Sequence, residues 1–366
     1  MLKIISFFLL VLFVQPAFAN KVESVFSFTK NFDYKSCKMP VRNKTELPKV
    51  FVTVLGYSGA NELPSERAVS NYREYFMSLS SNARISENYA RLTREEIVKI
   101  SKQKKLQWDN NWKKNQYGNF FFTASIAIPV AIEVLYQKNN FSKQEFNLVV
   151  KYLDFLNNQM LQTAPTKNEW WSPNNLSFDY AVFAYTLGLI KNKQSHKDKA
   201  IKILKWGLSE LRKDGSIPGD AKRIGSALHY TNKAVVGLVT LAELAAVDNH
   251  NLYDVKYKSF FSSVEKDIEL AMDFLISATE NPNLIYPYAL EGQKQGSTGY
   301  KQYSPSNQDK RFINNQLITW GYYYIRRFPD SELSKRLLKL SPFLKYKRVG
   351  FGETAGANPL CFITGK

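Results

Sequence analysis

Residues 214–244 read DGSIPGDAKRIGSALHYTNKAVVGLVTLAEL, and the rest of the chain is organised around them. The stretch opens on a turn signal (Asp214, Gly215, Pro218, Gly219), passes a basic pair, Lys222 and Arg223, and enters an apolar helical run at Ala227. His229 and Tyr230 therefore stand where a loop meets a rigid helix, a common place for a site. Arg223 and Tyr230 are seven residues apart. On a helix that is about two turns and leaves both on one face, whereas in a loop the spacing means less. A guanidinium beside a phenol favours the phenolate and brings it toward the range in which a base works near neutral pH. With one hydrogen-bonding side chain, such a pair is equipped to remove a carbon-bound proton without a metal. The same residues also fit a plainer reading, a surface arginine and one of 21 tyrosines.

Outward from this stretch the pattern is helical. Helices are expected over 94–112, which is polar and basic, and over the amphipathic or apolar runs 120–137, 143–161, 177–190, 197–212, 231–246, 262–278, 311–327 and 331–344. Pro129 falls inside one apolar run and is expected to kink or divide it. Ahead of these, Phe51–Leu55 is β-branched and apolar and reads as a short strand, 56–59 as a loop, and 61–80 carries helical spacing through Val69, Tyr72, Tyr75 and Phe76. Residues 292–310 are polar and turn-rich, a surface loop that edges a cleft. No fixed-period repeat and no Gly/Ser linker interrupts the chain, so residues 20–366 read as one all-α domain. Helical hairpins wrapped into an incomplete toroid satisfy this pattern, and so does an open bundle.

The first 19 residues have the form of a secretory leader: Lys3, an apolar core from Ile4 to Val14, and the small-residue site Ala17-Phe18-Ala19. That implies export to a bacterial periplasm or beyond. The leader core is too short to cross a membrane, and no later run reads as the roughly 18 apolar residues a membrane helix needs. No membrane insertion is expected, and no cysteine follows the cleavage site to carry a lipid. Net charge is +18, from 50 Lys plus Arg against 32 Asp plus Glu, which favours polyanions. For an exported chain without a nucleic-acid motif the polyanion is an acidic polysaccharide rather than nucleic acid. Free use of lysine along the whole chain is the alternative source of the charge. Cys37 and Cys361 are the only cysteines, and in an oxidising compartment they are placed to tie the two ends together. A loop that long stabilises by up to about 4 or 5 kcal/mol in the entropic account. The histidines (His196, His229, His250) and cysteines show no zinc spacing, so neither metal nor cofactor is implied.

The segment 214–244 resembles the signature of the bacterial alginate lyase family, mannuronan lyases built on an (α/α) toroid. There a DG-x-x-P turn leads to a basic stretch and R-A-L-H-Y-H-N; here Ser226-Ala227-Leu228-His229-Tyr230-Thr231-Asn232 stands in that place, with Arg223 seven before the tyrosine. A second family motif, N-N-H-S-Y, is similar to Asn174-Asn175-Leu176-Ser177-Phe178. The resemblance selects the toroid. It also implies β-elimination on a polyuronate. Asn175 and Arg223 would neutralise the sugar carboxylate, and Tyr230 would take the C5 proton and return one to O4. Leu176 and Thr231 replace two family histidines, leaving His229 as the nearest imidazole.

By the same resemblance, 56–80 is a lid carrying Tyr57 and Arg67, and the Trp320 to Pro329 segment corresponds to a W-x-x-x-Y stretch followed by R-F-P. Substrate contacts are therefore expected from Asn174, Trp170, Trp171, Tyr57, Arg67, Trp320, Tyr324 and Arg311, in a protein acting as a monomer. Trp170 and Trp171 suit stacking on the apolar face of a pyranose. Two other classes stay open. One is a non-catalytic uronan-binding protein. The other is an inverting hydrolase with Asp214 and Asp220 as a carboxylate pair about 6.5–9.5 Å apart.

Overall fold

The computed structural model describes residues 40–51, 63–110, 112–162, 173–258, 264–295 and 320–340. Twelve helices are taken in chain order among them. They are α1 Pro64–Ala83, α2 Glu87–Lys102, α3 Gln116–Tyr136, α4 Lys143–Leu161, α5 Asn175–Lys191 and α6 Gln194–Glu210. Then come the single turn α7 Pro218–Ala221, α8 Ala227–Val247, α9 Ile268–Glu280, α10 Tyr286–Lys294, α11 over residues 320–327 and α12 Glu332–Lys339. Among the described residues strand is confined to two minimal pairs, parallel β1 Val50–Phe51 with β2 Gln107–Trp108, and antiparallel β3 Tyr257–Lys258 with β4 Glu265–Lys266.

Burial sorts the helices into layers. Every residue of α3 from Phe122 to Val134 is buried, as is nearly all of α5 and the run Ala234–Ala245 of α8. Helices apolar on all sides belong inside. By contrast α6 buries Ala200, Ile203, Leu204, Gly207 and Leu208, the i, i+3, i+4, i+7, i+8 stripe of an outer helix that covers a core on one side. α5 packs against α3, α6 and α8, and α1 against α2 and α3.

The inner helices run the same way. Ser80 and Arg84 at the end of α1 bond Glu133 near the end of α3, while Phe120 and Tyr180 meet near the starts of α3 and α5. On α8, Asn232 takes a hydrogen bond from Trp320 and Glu243 pairs with Arg327, so α8 and α11 are parallel too. Inner α1, α3, α5, α8 and α11 with outer α2, α4, α6 and α9 make the incomplete (α/α) toroid. The starts of the inner helices gather at one end. The opposite end is closed by two buried ion pairs, Arg84–Glu133 and Arg327–Glu243, whose carboxylates are fully enclosed. Around Phe178 of α5 the packing leaves no slack: a Cβ on Gly237 of α8 would meet its Cβ at 2.7 Å, and one on Gly207 of α6 its ring at 2.5 Å.

Several expectations change. Helix α2 starts at Glu87 and stops at Lys102, because Lys104 (φ 45°) and Leu106 (φ 66°) take left-handed backbone that no helix continues. Pro129 lies within an undivided α3, where the burial of every residue from Phe122 to Val134 outweighs the lost backbone bond. That helix also has the length and apolarity of a membrane span, contrary to the sequence reading, but 89% of its most apolar window is buried within the protein. Residues 64–80 of the expected lid are packed helix, with Val69, Tyr72, Tyr75 and Phe76 in the core. Where the helix over 262–278 was predicted, the hairpin β3–β4 comes first and Asp267 caps α9 by accepting from the Leu270 N–H. Residues 292–294 finish α10, where a surface loop over 292–310 was expected, and 296–310 lie outside the described residues. The leader, Cys37 and Cys361 lie outside the described residues.

Candidate active site

The starts of α5 and α8 and the turn before α8 carry Asn174, Asn175, Arg223, His229 and Tyr230, near the start of α3. The peptide dipoles of these helices turn their positive ends this way, so this end of the toroid suits an anion. Asn174 is the N-cap of α5. Its Oδ1 accepts from the N–H groups of Leu176 (3.0 Å) and Ser177 (3.3 Å), and Ser177 Oγ accepts in return from the Asn174 N–H. That oxygen is committed to capping the helix.

Asn175 follows as the first residue of α5, 1% exposed. Its N–H donates to Asp220 Oδ2 at 2.9 Å, which ties the start of α5 to α7. The side-chain Oδ1 of Asn175 and the Oδ1 of Asp220 are both buried without a hydrogen-bond partner. Unsatisfied buried oxygens are costly, and such atoms beside a cluster of charge mark a place where a ligand group completes the bonding. Leu176 is 6% exposed and joins the apolar core.

Asp220 is wholly enclosed. Desolvation raises its carboxyl to about 7, and Asp179 pushes the same way, while Arg223, the Asn175 N–H and Lys233 pull it back. Its backbone carbonyl accepts from the Arg223 N–H at 3.1 Å. After Arg223 the chain turns through Ile224 (φ 42°) and a short 3-10 turn, Ile224–Ser226, into α8. That sharp entry folds the Arg223 side chain back over Tyr230, with the guanidinium carbon 4.4 Å from the ring centroid. His229 meets the same ring edge to face at 5.0 Å. Arg223, His229 and Tyr230 are all half-buried. One turn further along α8, the Lys233 ammonium lies 4.5 Å from the centroid of Phe121 on α3.

Arg223, His229 and Tyr230 are thus brought together, and Asp220 links Asn175 to the Arg223 turn. Other expected contacts do not join them. Trp320 is fully buried and donates to Asn232 Oδ1 at 2.9 Å, and Tyr324, 1% exposed, donates to Glu269 at 2.6 Å, so both rings are packed in the core. Arg67 is exposed in the first turn of α1. Tyr57, Trp170, Trp171 and Arg311 lie outside the described residues.

The hydrolase pair fails on burial. Asp214 is exposed and accepts from the Tyr288 hydroxyl and the Ser216 N–H, whereas Asp220 is sealed against Asn175, so the two do not flank an open groove. Among the described residues no group of three or more His, Cys, Asp or Glu could hold a metal ion. Sequence reasoning missed Asp179, Lys233 and Phe121, and took Asp220 only as half of that pair. The signal for Lys233 was its place three residues after Tyr230 on a helix, where side chains are neighbours.

A family model described as alginate lyase matches residues 81–285, which is 205 of 366 residues and includes the whole cluster. Among solved structures, alginate lyase A1-III from Sphingomonas species A1 superposes with a TM-score of 0.66 at 19% identity, covering 90% of this chain and 87% of that one. A tyrosine-to-phenylalanine variant of alginate lyase A1-III complexed with tetrasaccharide gives 0.66 at 18% identity, covering 92% and 90%. A histidine-to-alanine variant, also complexed with tetrasaccharide, gives 0.64 at 20%, covering 91% and 89%. At these identities the likeness is one of fold. No curated protein matches the sequence.

Proposed function

The chain belongs to the alginate lyase family, and from that premise we propose that it cleaves a polyuronate by β-elimination, with Tyr230 as both base and acid. The observation that carries the reading is the Arg223 guanidinium stacked on the Tyr230 ring at 4.4 Å, with Asp220 accepting from the backbone N–H of Asn175 in the same cluster. The substrate is an acidic polysaccharide, in keeping with the charge of +18.

The chemistry follows from what the reaction needs. The C5 proton of a uronate is weakly acidic until the adjacent carboxylate is neutralised, so donors and cations must meet that carboxylate before a base acts. Arg223 supplies the cation and Asn175 an amide. The same guanidinium stabilises negative charge on the Tyr230 oxygen. Phenolate Tyr230 takes the C5 proton, the electron pair forms the C4–C5 double bond, the C4–O4 bond breaks, and O4 leaves with the proton returned by Tyr230. One residue serves both steps only when H5 and O4 share a ring face. That holds for β-mannuronate and glucuronate and fails for guluronate and galacturonate. The secretory form of residues 1–19 supports an activity outside the cytoplasm.

Leu176, where the family has histidine, favours a second reading in which the site binds uronan without cleaving it. A panel of polyuronates followed by ultraviolet absorbance separates the two. Growth of the conjugated product's signal on polymannuronate or polyglucuronate, and none on polygalacturonate, supports the lyase. Affinity without absorbance supports the binder.

A further inference from the structure

We propose that helix α10 is the mount of the Arg223 turn, with Glu291 and Gly292 as positioning residues that set where the guanidinium stands against Tyr230. The proposal rests on the lyase reading above and adds to it two residues from a different helix. Between the end of α6 and Arg223 the chain has one helical turn of its own, α7. Such a stretch keeps a side chain in place only when neighbouring structure holds it. Helix α10 packs against α7 and against the 3-10 turn Ile224–Ser226, one on either side of Arg223.

The grip comes from one helix face, since Tyr288, Glu291, Gly292 and Gln295 follow at i, i+3, i+4 and i+7. The Tyr288 hydroxyl donates to Asp214, and the Arg212 guanidinium carbon lies 4.2 Å from the centroid of the Tyr288 ring. Glu291 pairs with Arg212 at 2.7 Å and with Lys222 at 2.8 Å, and Gln295 Oε1 accepts from the Lys222 ammonium at 3.4 Å. One carboxylate thus ties both ends of the stretch, and Lys222 is the residue before Arg223. That carboxylate is 40% exposed, so water screens its pairs and they serve geometry more than stability.

Gly292 makes the fit close. A Cβ there would stand 1.8 Å from the Lys222 carbonyl oxygen and 2.7 Å from its carbon, both backbone atoms. Ordinary non-bonded contact is roughly 3.5 Å, so no rotamer absorbs an alanine and the two backbones must part by about 1.5 Å or more. Ala289, three residues earlier, is fully buried and seats α10 in the core, so part of that displacement falls on the turn. Lys222 and Arg223 share a peptide, and what moves one carbonyl moves the root of the guanidinium. A misplacement of about 1 Å at a reacting group costs up to about a hundred-fold in rate.

The test is a double-mutant cycle in the full-length protein. Glu291→Gln and Gly292→Ala are each made alone and together with Arg223→Lys, which keeps a cation and loses the planar fork. Values of kcat/KM on polymannuronate and polyglucuronate are read alongside affinity for a mannuronate tetrasaccharide. The expected result is a fall in kcat/KM of about five-fold for Glu291→Gln and about ten- to a hundred-fold for Gly292→Ala, with little further fall when either is added to Arg223→Lys. Losses that multiply in the double variants overturn the mount, since that is the mark of a merely structural role, and so does an unchanged kcat/KM in the single variants. If Gly292→Ala does not fold, the Glu291→Gln cycle decides alone. If the wild type cleaves neither polymer, the lyase reading fails. In that case, or where Arg223→Lys has no measurable rate, the same cycle is read in affinity: losses that do not multiply support the mount, and losses that multiply or are absent overturn it.

Discussion

Replacing Asp220 with asparagine tests whether a sealed carboxyl sits at the hinge of the site. Burial lifts this group from its ordinary 3.8 to about 7, so between those values the folded protein keeps a proton that the unfolded chain releases. The folded state then binds more protons, and unfolding free energy falls as pH rises. The contribution is complete below about pH 4 and is lost as pH passes through 7. The span corresponds to about 4 kcal/mol at most, taking about 1.4 kcal/mol per decade. Asparagine at 220 keeps an oxygen to accept the Asn175 N–H and cannot titrate in this range. Urea midpoints of wild type and Asp220→Asn, measured from pH 4 to pH 8, should converge or cross, with the variant gaining several kcal/mol on the wild type toward neutral pH. Two curves that stay parallel across that range would refute the assignment.

Gly237→Ala drives a methyl to within 2.7 Å of Phe178, three residues after Asn175 on α5. It should cost about 1–3 kcal/mol in a thermal melt and also lower kcat/KM, because the start of α5 must shift. Arg327→Met leaves Glu243 buried without its cation at the far end of the toroid, and denaturant titration should show a loss of about 3–5 kcal/mol. Catalysis by the protein that remains folded should be nearly unaltered. Trp320→Phe deletes the bond to Asn232 and should cost about 1–3 kcal/mol of stability while leaving KM as it was. A clear rise in KM would return Trp320 to the sugar groove.

Much of the helical frame was readable from local chemistry. The prediction over 143–161 coincides with α4 because Ser142 and Glu145 form a capping box ahead of an amphipathic run, both visible as letters. The start of α2 was missed because its buried face uses Ala90, Thr93 and Ser101 as well as Ile97 and Ile100, a weak apolar signal. That Pro129 does not divide α3 was not readable either, since only tertiary burial decides whether a helix survives a proline. In the site, the nearness of Arg223 and Tyr230 came from motif spacing and is present in the structure. The split between Asn174 and Asn175 was not readable, because which amide caps the helix depends on the backbone turn before α5. Trp320 and Tyr324, four residues apart, looked like groove residues but share one face of a buried helix, the commoner fate of an aromatic stripe. Asp220 and Lys233 act through residues distant in sequence, so only the packed toroid shows their neighbours.

Most direct is a comparison of wild type with Tyr230→Phe on polymannuronate, reading unsaturated ends by ultraviolet absorbance and binding by titration with a mannuronate tetrasaccharide. The phenol account predicts absorbance growth in the wild type and at least about a thousand-fold loss in the variant at nearly unchanged affinity. A variant that goes on making unsaturated ends at the wild-type rate would contradict it.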